Sequence, residues 1–371
     1  MLPLISVILP VLDGRTTMPK LLDELLRQNY PADRFEILVV DLGSTDGTAD
    51  LVRRRYAQKH SCIRLLASPS RRASAGRNLG VRAARGQVLV FIDGHSSVPS
   101  RNLLEDTAAL LSRTGAGCLC RPQPLRAPAE THMGDVIAQA RSTWLGHSRH
   151  SQAADLQVSA YADPVHGGST YRREVFERIG LFDEAFDACA DVEFNLRVRR
   201  AGIRAFTDPR LAIDDRPPAT LGAFARQMIA RGRGQMRLIR KHPGAAQFTS
   251  LVPLAVLVTL LLTPLAWLLL PRIPALLGSL PIALMACAVA LASLQLGIRH
   301  GLGATARAPW VFAALGCGIG LGIVLESLSF IKGADGAQPA AVPQTTQAPA
   351  PLAMPRTIAD LEPLQQTNRA A

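Results

Sequence analysis

Aromatic residues are scarce in this chain, at 5% of its 371 residues, and charged residues make up only 19%. Proteins that bind single-stranded nucleic acid stack the bases on aromatic side chains, so the scarcity argues against a nucleic-acid partner. A disordered, solvating chain is also excluded, because such chains are poor in apolar residues and 48% of this one is hydrophobic. Many apolar and few charged residues together favour a membrane-embedded part.

The six cysteines form no CxxC pair and no Cys/His spacing typical of a zinc site. Cys287 and Cys317 lie in apolar runs, where a lone cysteine acts as a small hydrophobic residue. This usage favours a reduced, cytosolic compartment. The apolar run at the N-terminus is too short to span a bilayer and follows no basic segment, so it predicts a buried strand and not a signal peptide.

Basic residues outnumber acidic ones by 41 to 29, which gives a net charge of +12. Such an excess predicts an anionic partner, such as anionic lipid or a phosphorylated substrate. Most of the excess lies in residues 1–247. A basic domain next to a membrane suits both membrane lipids and a diphosphate substrate.

Three apolar runs follow residue 247, and each has the ~20 residues that a membrane-spanning helix needs. They cover about residues 248–270, 275–298 and 310–331, and Glu326 is their only charged residue. Pro264 and Pro281 would kink the first two runs without preventing them from spanning. Three spans are expected; two spans, with the second run re-entrant, and a buried hairpin of a soluble protein are the alternatives.

The distribution of basic residues predicts how these runs are oriented. Six basic residues and no acid lie between residue 216 and the first run: Arg226, Arg231, Arg233, Arg237, Arg240 and Lys241. We therefore expect residues 1–247 in the cytoplasm, with 216–247 as a basic interfacial segment. The tail, residues 332–371, is rich in Ala and Pro and is expected to be disordered and outside. Four glycines between residues 316 and 322 predict close helix packing.

Alternating strands and helices are predicted for residues 1–215. Apolar strands at Ile5–Pro10, Phe35–Asp41, Ile63–Ala67 and Val88–Asp93 are separated by helical patterns. This alternation predicts an α/β domain with a mostly parallel sheet that is covered on both faces. Ligands of such sheets bind beyond the carboxyl ends of the strands. Polar residues after three of the strands are therefore expected to share one site.

Four motifs occur in order along the chain: SVILPVLDG, EILVVDLGSTDGT, AGRNLGVRAARGQVLVFIDGH and FDEAFDACADVEFNLRVRRAG. Together with WLGHSR, DPVHGGSTYRREVF and RQMIARGRGQMRLIRKHP, they resemble the family 2 glycosyltransferases, and among these the succinoglycan-type exopolysaccharide enzymes. The resemblance covers about residues 5–243. It implies a GT-A fold, which is Rossmann-like and binds a nucleotide-sugar, and transfer with inversion at the sugar carbon.

The resemblance also implies a nucleotide site. Asp41 matches the aspartate that contacts the base, Pro10 and Asp13 would line the same pocket, and Arg77 would meet the nucleotide together with Asp93. Taken without the family, Asp41 is typical of a turn or a helix cap, and Arg77 of a solvated helix face.

Asp93-Gly94-His95 occupies the position of the family's DxD metal motif, with His95 in place of the second acid. A divalent cation there would neutralise the donor's diphosphate. Because imidazole is a softer ligand than carboxylate, we expect Mn²⁺ to be preferred over Mg²⁺. A lone histidine is otherwise more often a structural residue.

Asp191 matches the family's general base, the carboxylate that takes the proton of the acceptor hydroxyl. Ala190 replaces the acid that precedes the base in the family, and Glu193 is the candidate to compensate. The alternative is that Asp191 is only the N-cap of the following helix. His166 and Gly167 resemble the segment that shapes the sugar and acceptor pocket. Arg231 and Arg233 would contact either lipid headgroups or the diphosphate.

The resemblance thus implies transfer of one sugar from a nucleotide-sugar, with a UDP-sugar expected, to a polyprenyl-diphosphate-linked acceptor at the cytoplasmic face of a bacterial-type inner membrane. Assembly of exopolysaccharide repeat units is the expected setting. The QxxRW pattern of processive synthases is absent around Gln227, which favours single addition. Two alternatives remain: transfer to a non-polysaccharide lipid alcohol, and a non-catalytic scaffold, which Ala190 and His95 keep open.

Overall fold

The computed structural model describes residues 2–122, 131–146, 159–245, 251–269 and 271–331. The predicted tail and part of the WLGHSR motif lie outside these residues. The chain divides into two compact units, and the described residues 2–122 and 159–216 belong to the first. Residues 131–146 belong to the second unit together with 217–331. The sequence alone places them in the α/β domain of residues 1–215.

An eight-stranded sheet organises the first unit. Its strands are β1 (Ile5–Val11), β2 (Phe35–Asp41), β3 (Ile63–Ala67), β4 (Val88–Phe91), β5 (Cys118–Cys120), β6 (Ala160–Ala162), β7 (Gly168–Arg172) and β8 (Ala205–Thr207). Their order is β3-β2-β1-β4-β7-β5-β8-β6. Strands β1 to β4 pair in parallel with one another, and β5 pairs in parallel with β8. Strand β7 is antiparallel to β4 and β5, and β6 is antiparallel to β8. The mostly parallel sheet confirms the predicted fold class.

Helices cover both faces of this sheet because the side chains of its central strands are apolar on both sides. The helices of the first unit are α1 (Met18–Leu26), α2 (Thr48–Val52), α3 (Ala73–Ala83), α4 (Leu103–Thr114), α6 (Arg173–Ile179) and α7 (Ala190–Arg200). On β1, Ile5, Val7 and Leu9 belong to one buried cluster and Ile8 to the other. Strand side chains alternate between faces, so each face has its own core.

One predicted helix of the first unit is shorter than expected. The pattern predicts a helix from Thr48 to Lys59, but α2 ends at Val52 and a wider π-helical turn follows over Arg53–Ala57. In this turn Tyr56 is buried and its hydroxyl lies 2.9 Å from Asp23 Oδ1. Burial and Asp23 raise the pKa of Tyr56 to about 12.

The second unit is entirely helical in its described residues. It contains α5 (His132–Arg141), α8 (Leu221–Lys241), α9 (Val252–Leu269), α10 (Arg272–His300) and α11 (Leu302–Ile331). The last three are long and apolar enough to cross a membrane. Pro264 and Pro281 lie inside α9 and α10 without ending them. Helix α11 begins eight residues before the predicted run.

Candidate active site

The candidate site begins where β1, β2 and β4 end. Pro10 is tolerated inside β1 because the pairing of β1 with β4 stops at Ile8 and Phe91, so the N–H that proline lacks has no partner to lose there. After β1 the chain turns at Asp13, whose positive φ of 52° is rare for a residue other than glycine. The Asp13 amide donates to Ser44 Oγ at 2.9 Å, and its Oδ1 accepts from the Thr45 amide at 2.7 Å. The turns after β1 and β2 are therefore tied together.

Asp46, which sequence reasoning did not single out, completes this connection. Its Oδ2 accepts from the Arg15 amide at 2.9 Å, and its Oδ1 from the Thr48 amide at 3.0 Å. Although burial raises the pKa of this carboxyl, the bonds from Thr48 and Arg15 lower it below its usual value. The only sequence signal for Asp46 was its place in the turn Gly43–Gly47. In the structure both glycines of this turn have positive φ.

Asp41 is buried at the end of β2 and forms the turn that follows. Its carboxylate accepts from the amides of Gly43 and Ser44, each at 3.3 Å. This is the turn-forming role that its residue type favours. A contact between Asp41 and a nucleotide base remains a proposal.

Arg77 connects two of the predicted acidic residues. Its Nη2 donates to Asp93 Oδ1 at 3.0 Å, and its side chain is 15% exposed, so it does not lie on a solvated helix face. Burial would lower the pKa of Arg77, but the nearby carboxylates of Asp93 and Asp191 raise it. Likewise burial would raise the pKa of Asp93, but Arg77 and His95 hold it below its usual value. The structure thus brings α3, the end of β4 and α7 to one place.

His95 is paired with Asp215, a residue that sequence reasoning missed. The distance between His95 Nε2 and Asp215 Oδ1 is 3.0 Å. Burial lowers the pKa of His95, but the bond to Asp215 outweighs it and raises the pKa to about 9. Asp215 is positioned by its neighbour Asp214, which exchanges two backbone hydrogen bonds of 2.9 Å with Ser97. In this state His95 is a cation, and it must lose a proton before it can bind a metal.

The donor set fits a divalent cation, although the described residues contain no preformed group of three metal ligands. Asp93 and Asp215 supply carboxylate oxygens, and a neutral His95 supplies a nitrogen. Asp215 Oδ1 is buried and accepts no well-aligned hydrogen bond from the described residues, despite its contact with His95. A carboxylate oxygen beside an imidazole is a pair of donors that Mn²⁺ accepts once the imidazole has lost its proton.

Arg121, which follows β5, is a second functional candidate that sequence reasoning missed. Its side chain is buried, and its Nη2 donates to the carbonyl of Phe91 in β4. Its Nε and Nη1 have no hydrogen-bond partner among the described residues. Burial lowers the pKa of Arg121 to about 10, although the carboxylates of Asp93 and Asp215 counteract it. No spacing signal could have found it, because antiparallel β7 separates β5 from β4.

Asp191 lies in the first turn of α7. The N-cap is Cys189, which has a positive φ of 64° and makes no side-chain cap bond, so the alternative in which Asp191 is only the N-cap does not apply. Asp191 is exposed, whereas Ala190 beside it is buried. An acid at position 190 would have to lose its hydration, and alanine avoids this cost.

Glu193 does not lie free in a pocket. Its side chain is fully buried and pairs with Arg197 at 2.9 Å. Arg197 also donates to the carbonyls of Ile179 and Leu181, both at 2.7 Å. In this conformation Glu193 holds α7 to the segment after α6, and it is not available to replace the acid absent at position 190.

His166 and Gly167 close a short 3₁₀ turn over Pro164–His166. His166 is half-buried, and Gly167 has a φ of 127° and accepts from the Arg121 amide at 2.9 Å. The next residue, Gly168, packs on α7, since an added Cβ would lie 2.5 Å from Asn195 Oδ1. The turn is therefore anchored to both β5 and α7. Arg231 and Arg233 lie on α8, in the second unit.

Two relatives are similar to this chain over most of their length. Succinoglycan biosynthesis protein ExoA of Rhizobium meliloti is 28% identical over 255 residues, covering 67% of this chain and 74% of that protein. A Methanococcus voltae enzyme is 25% identical over 257 residues, covering 64% of this chain and 74% of its own. Its name is dolichyl N-acetyl-alpha-D-glucosaminyl phosphate 3-beta-D-2,3-diacetamido-2,3-dideoxy-beta-D-glucuronosyltransferase.

A solved structure shows the same fold. Mannosyltransferase PcManGT from Pyrobaculum calidifontis, in complex with GDP-Man and Mn²⁺, superposes with a TM-score of 0.58 at 22% identity. The superposition covers 85% of this chain and 87% of that one. Residues 6–180 also match the family model described as glycosyl transferase family 2. The chain is therefore a glycosyltransferase whose residues 6–180 form a family 2 domain with the GT-A fold.

Proposed function

We propose that this enzyme transfers one sugar, with inversion, from a nucleotide-sugar to a lipid-linked acceptor at the cytoplasmic face of a membrane. The observation that carries the proposal is the contact of Arg77 with both acids: it donates to Asp93 at 3.0 Å and interacts electrostatically with Asp191. It brings a cation suited to a diphosphate next to an exposed carboxylate suited to proton abstraction. Sugar transfer needs both groups in the same site.

Asp191 is the proposed general base. Its carboxylate accepts the proton of the acceptor hydroxyl while that oxygen attacks the anomeric carbon, and the bond to the nucleoside diphosphate breaks on the opposite side. This one-step displacement inverts the configuration at the carbon. The exposure of Asp191 suits it to this role, since the acceptor has to reach its oxygens.

Arg77 and Arg121 are the proposed source of positive charge for the leaving diphosphate. Preorganised charges at the position where negative charge develops are strong contributors to catalysis. Asp93, Asp215 and His95 would hold a divalent cation, which when bound neutralises the diphosphate oxygens. Its binding competes with the proton on His95, because only the neutral imidazole can be a ligand.

The donor and acceptor are proposed on chemistry and similarity. Asp41 ends β2 and Asp13 follows β1, and we propose that the base and ribose of the donor lie there, with a UDP-sugar as our first candidate. The structural neighbour was solved with GDP-Man and Mn²⁺, so a GDP-sugar has to be tested beside it. A polyprenyl-diphosphate acceptor in exopolysaccharide assembly is supported by the relatives, which are named for succinoglycan biosynthesis and for a dolichyl-linked saccharide.

The deciding experiment measures nucleoside diphosphate release by the purified full-length protein in detergent with membrane lipid extract. UDP- and GDP-sugars are each offered with Mn²⁺, with Mg²⁺ and with EDTA. We expect release from one donor, fastest with Mn²⁺ and abolished by EDTA. Asp191→Asn should slow transfer at least 100-fold while the affinity for the nucleotide stays within about twofold.

Asp187→Asn is the matched control for Asp191→Asn. Asp187 precedes α7, and its exposed carboxylate pairs with Arg72 at 3.3 Å on the surface, so its loss should leave the rate unchanged. Full turnover by Asp191→Asn would remove the base assignment. Equal or faster rates with Mg²⁺ would contradict the expected preference for Mn²⁺.

Transfer to a non-polysaccharide lipid alcohol is the competing reaction. It predicts the same release of nucleoside diphosphate but a different lipid product. If release does occur, the mass of the lipid product separates a polyprenyl-linked saccharide from a glycosylated lipid alcohol.

A further inference from the structure

The three helices of spanning length differ in how much protein covers them. None of the residues in the apolar window of α9 is buried, against 17% for α10 and 44% for α11. Among the side chains of α10 whose burial is described, which exclude residues 273–277, only Ala292, Ser293 and Leu296 in its last third are buried. An apolar helix without a buried residue is suited to contact with lipid. Helix α11, by contrast, is packed against protein for much of its length.

Helix α8 provides much of that cover, at very close range. An added Cβ on Gly318 of α11 would lie 2.9 Å from the Cβ of Met228 of α8. Gly322 and Gly232 face each other across the two helices, and a Cβ on either would meet the backbone of the other. Gly318 and Gly322 therefore allow close helix packing, as the sequence predicts, and the helix that packs on them is α8.

Charged and aromatic contacts continue this interface toward the end of α11. Arg237 Nε lies 2.6 Å from Glu326 Oε1, and Glu326 is buried. Arg240 Nη2 donates to the Glu326 carbonyl at 3.2 Å, and its guanidinium lies 4.4 Å from the centre of the Phe330 ring. The contacts follow the same order along both helices. Helix α8 therefore runs parallel to α11 from Gly318 to Phe330.

The chemistry of α8 fixes the depth of this interface in a membrane. The helix contains six basic residues and no acidic residue. Charged side chains are strongly excluded from hydrocarbon, whereas a basic helix binds well at an anionic membrane surface. Because α11 follows α8 from Gly318 onward, this half of α11 has to lie at the surface as well.

The hairpin of α9 and α10 gives an independent indication of where α11 lies. Only two residues separate these helices, so they run antiparallel, and the start of α9 and the end of α10 share one end of the hairpin. Helix α11 contacts both: Thr305 packs on Gly297 of α10, and a Cβ on Gly320 would lie 2.6 Å from the Pro253 carbonyl of α9. The intervening 15 residues, about 22 Å of helix, pass across that end.

We propose that α9 and α10 are the two membrane spans and that α11 is a surface helix lying across the base of their hairpin. It is held there by α8 and by α5, which packs on the first half of α11. Exposed apolar residues of α11, such as Trp310 and Leu328, then contact the boundary between headgroups and acyl chains. The end of α11 lies on the same side as α8, which is the reverse of the orientation that three spans predict.

Reporter fusions to the full chain test this topology in a bacterial inner membrane. Green fluorescent protein and alkaline phosphatase are each fused after Ala371; the first is fluorescent only in the cytoplasm and the second active only outside it. We expect fluorescence and no phosphatase activity. The opposite result would establish three spans and overturn the proposal.

Two further measurements guard against disturbance by the fusions. Phosphatase inserted after Pro271, in the turn of the hairpin, should be active, and an inactive, correctly expressed insertion would mean that the hairpin does not cross. Ile331→Cys, in a chain whose six native cysteines are replaced by alanine, should react with a membrane-impermeant maleimide in inside-out vesicles and not in intact cells. Labelling of intact cells would overturn the proposal.

Discussion

At the scale of single residues, the site depends on cations that hold carboxylates in place. Arg77 pairs with Asp93 and attracts Asp191, and His95 pairs with Asp215. Arg121 is buried, and among the described residues its Nε and Nη1 have no hydrogen-bond partner. Arg77 and His95 hold the pKa of Asp93 below its usual value although its burial would raise it. Such a site is ready to receive an anionic donor without reorganisation.

Replacing Arg77 by alanine tests this arrangement directly. The change removes the cation that pairs with Asp93 and interacts with Asp191, so we expect kcat/KM to fall about 100-fold or more and the donor to bind less tightly. Arg82→Ala is the matched control, because Arg82 lies on the same helix, is exposed and is 3.9 Å from Glu184. Kinetics of both variants decide the matter, and equal rates would mean that Arg77 is only structural.

The strand end after β4 indicated Asp93 and His95, and the family resemblance indicated Asp191; the roles of all three stay predictions. Asp215 and Arg121 escaped prediction for a physical reason. They come from segments after β8 and β5, which are distant from β4 in sequence and reach its end only in the folded sheet. The fully buried pairing of Glu193 with Arg197 was equally invisible, since an i, i+4 pair in sequence says nothing about burial.

At the scale of elements, α3 is the helix that positions Arg77. Gly80 lies one turn after Arg77, and a Cβ there would collide with the side chain of Ile8 in the central strand β1. Ile8 is stiff and fully buried, so it has no room to move. The glycine lets α3 approach the sheet closely enough for Arg77 to reach Asp93.

Gly80→Ala should therefore destabilise the protein, although alanine is the better helix former. We expect a loss of about 1–3 kcal/mol in unfolding free energy from overpacking, together with slower transfer. Gly222→Ala is the control, because nothing lies within 4 Å of its Cβ, and there alanine should be neutral or stabilising. Thermal unfolding of both variants is the measurement; equal behaviour would contradict the close approach.

Element boundaries were predicted best where the pattern was purely apolar. Strands β2 and β3 begin and end where the sequence places them, and β1 and β4 differ by one or two residues at one end. Helix starts were less predictable. Helix α7 begins at Ala190 after a left-handed Cys189, because tertiary packing can impose a conformation that residue preference disfavours.

At the scale of the whole molecule, two compact units carry separate tasks. The first holds the candidate site, and the second holds the helices suited to a membrane. Stability of the second unit depends on the buried Glu326, which Arg237 neutralises at 2.6 Å.

Arg237→Gln should lower the stability of the second unit selectively. It leaves Glu326 buried without its partner, which costs about 3–5 kcal/mol. Adding Glu326→Gln should restore most of the loss, because the uncompensated charge is then gone. Unfolding in detergent and nucleotide affinity are measured together, and we expect the affinity to stay constant. An unchanged unfolding temperature in Arg237→Gln would show that the pair contributes nothing.

The sequence by itself determined the family, the α/β fold class and three apolar helices, because these depend on local pattern: apolar strands, ordered motifs and runs of sufficient length. Tertiary structure alone decided which residues meet. It placed Asp215 against His95, Arg121 behind Asp93 and α8 along α11. Contacts between distant segments follow from strand order and helix packing, and neither is written in the spacing of residues along the chain.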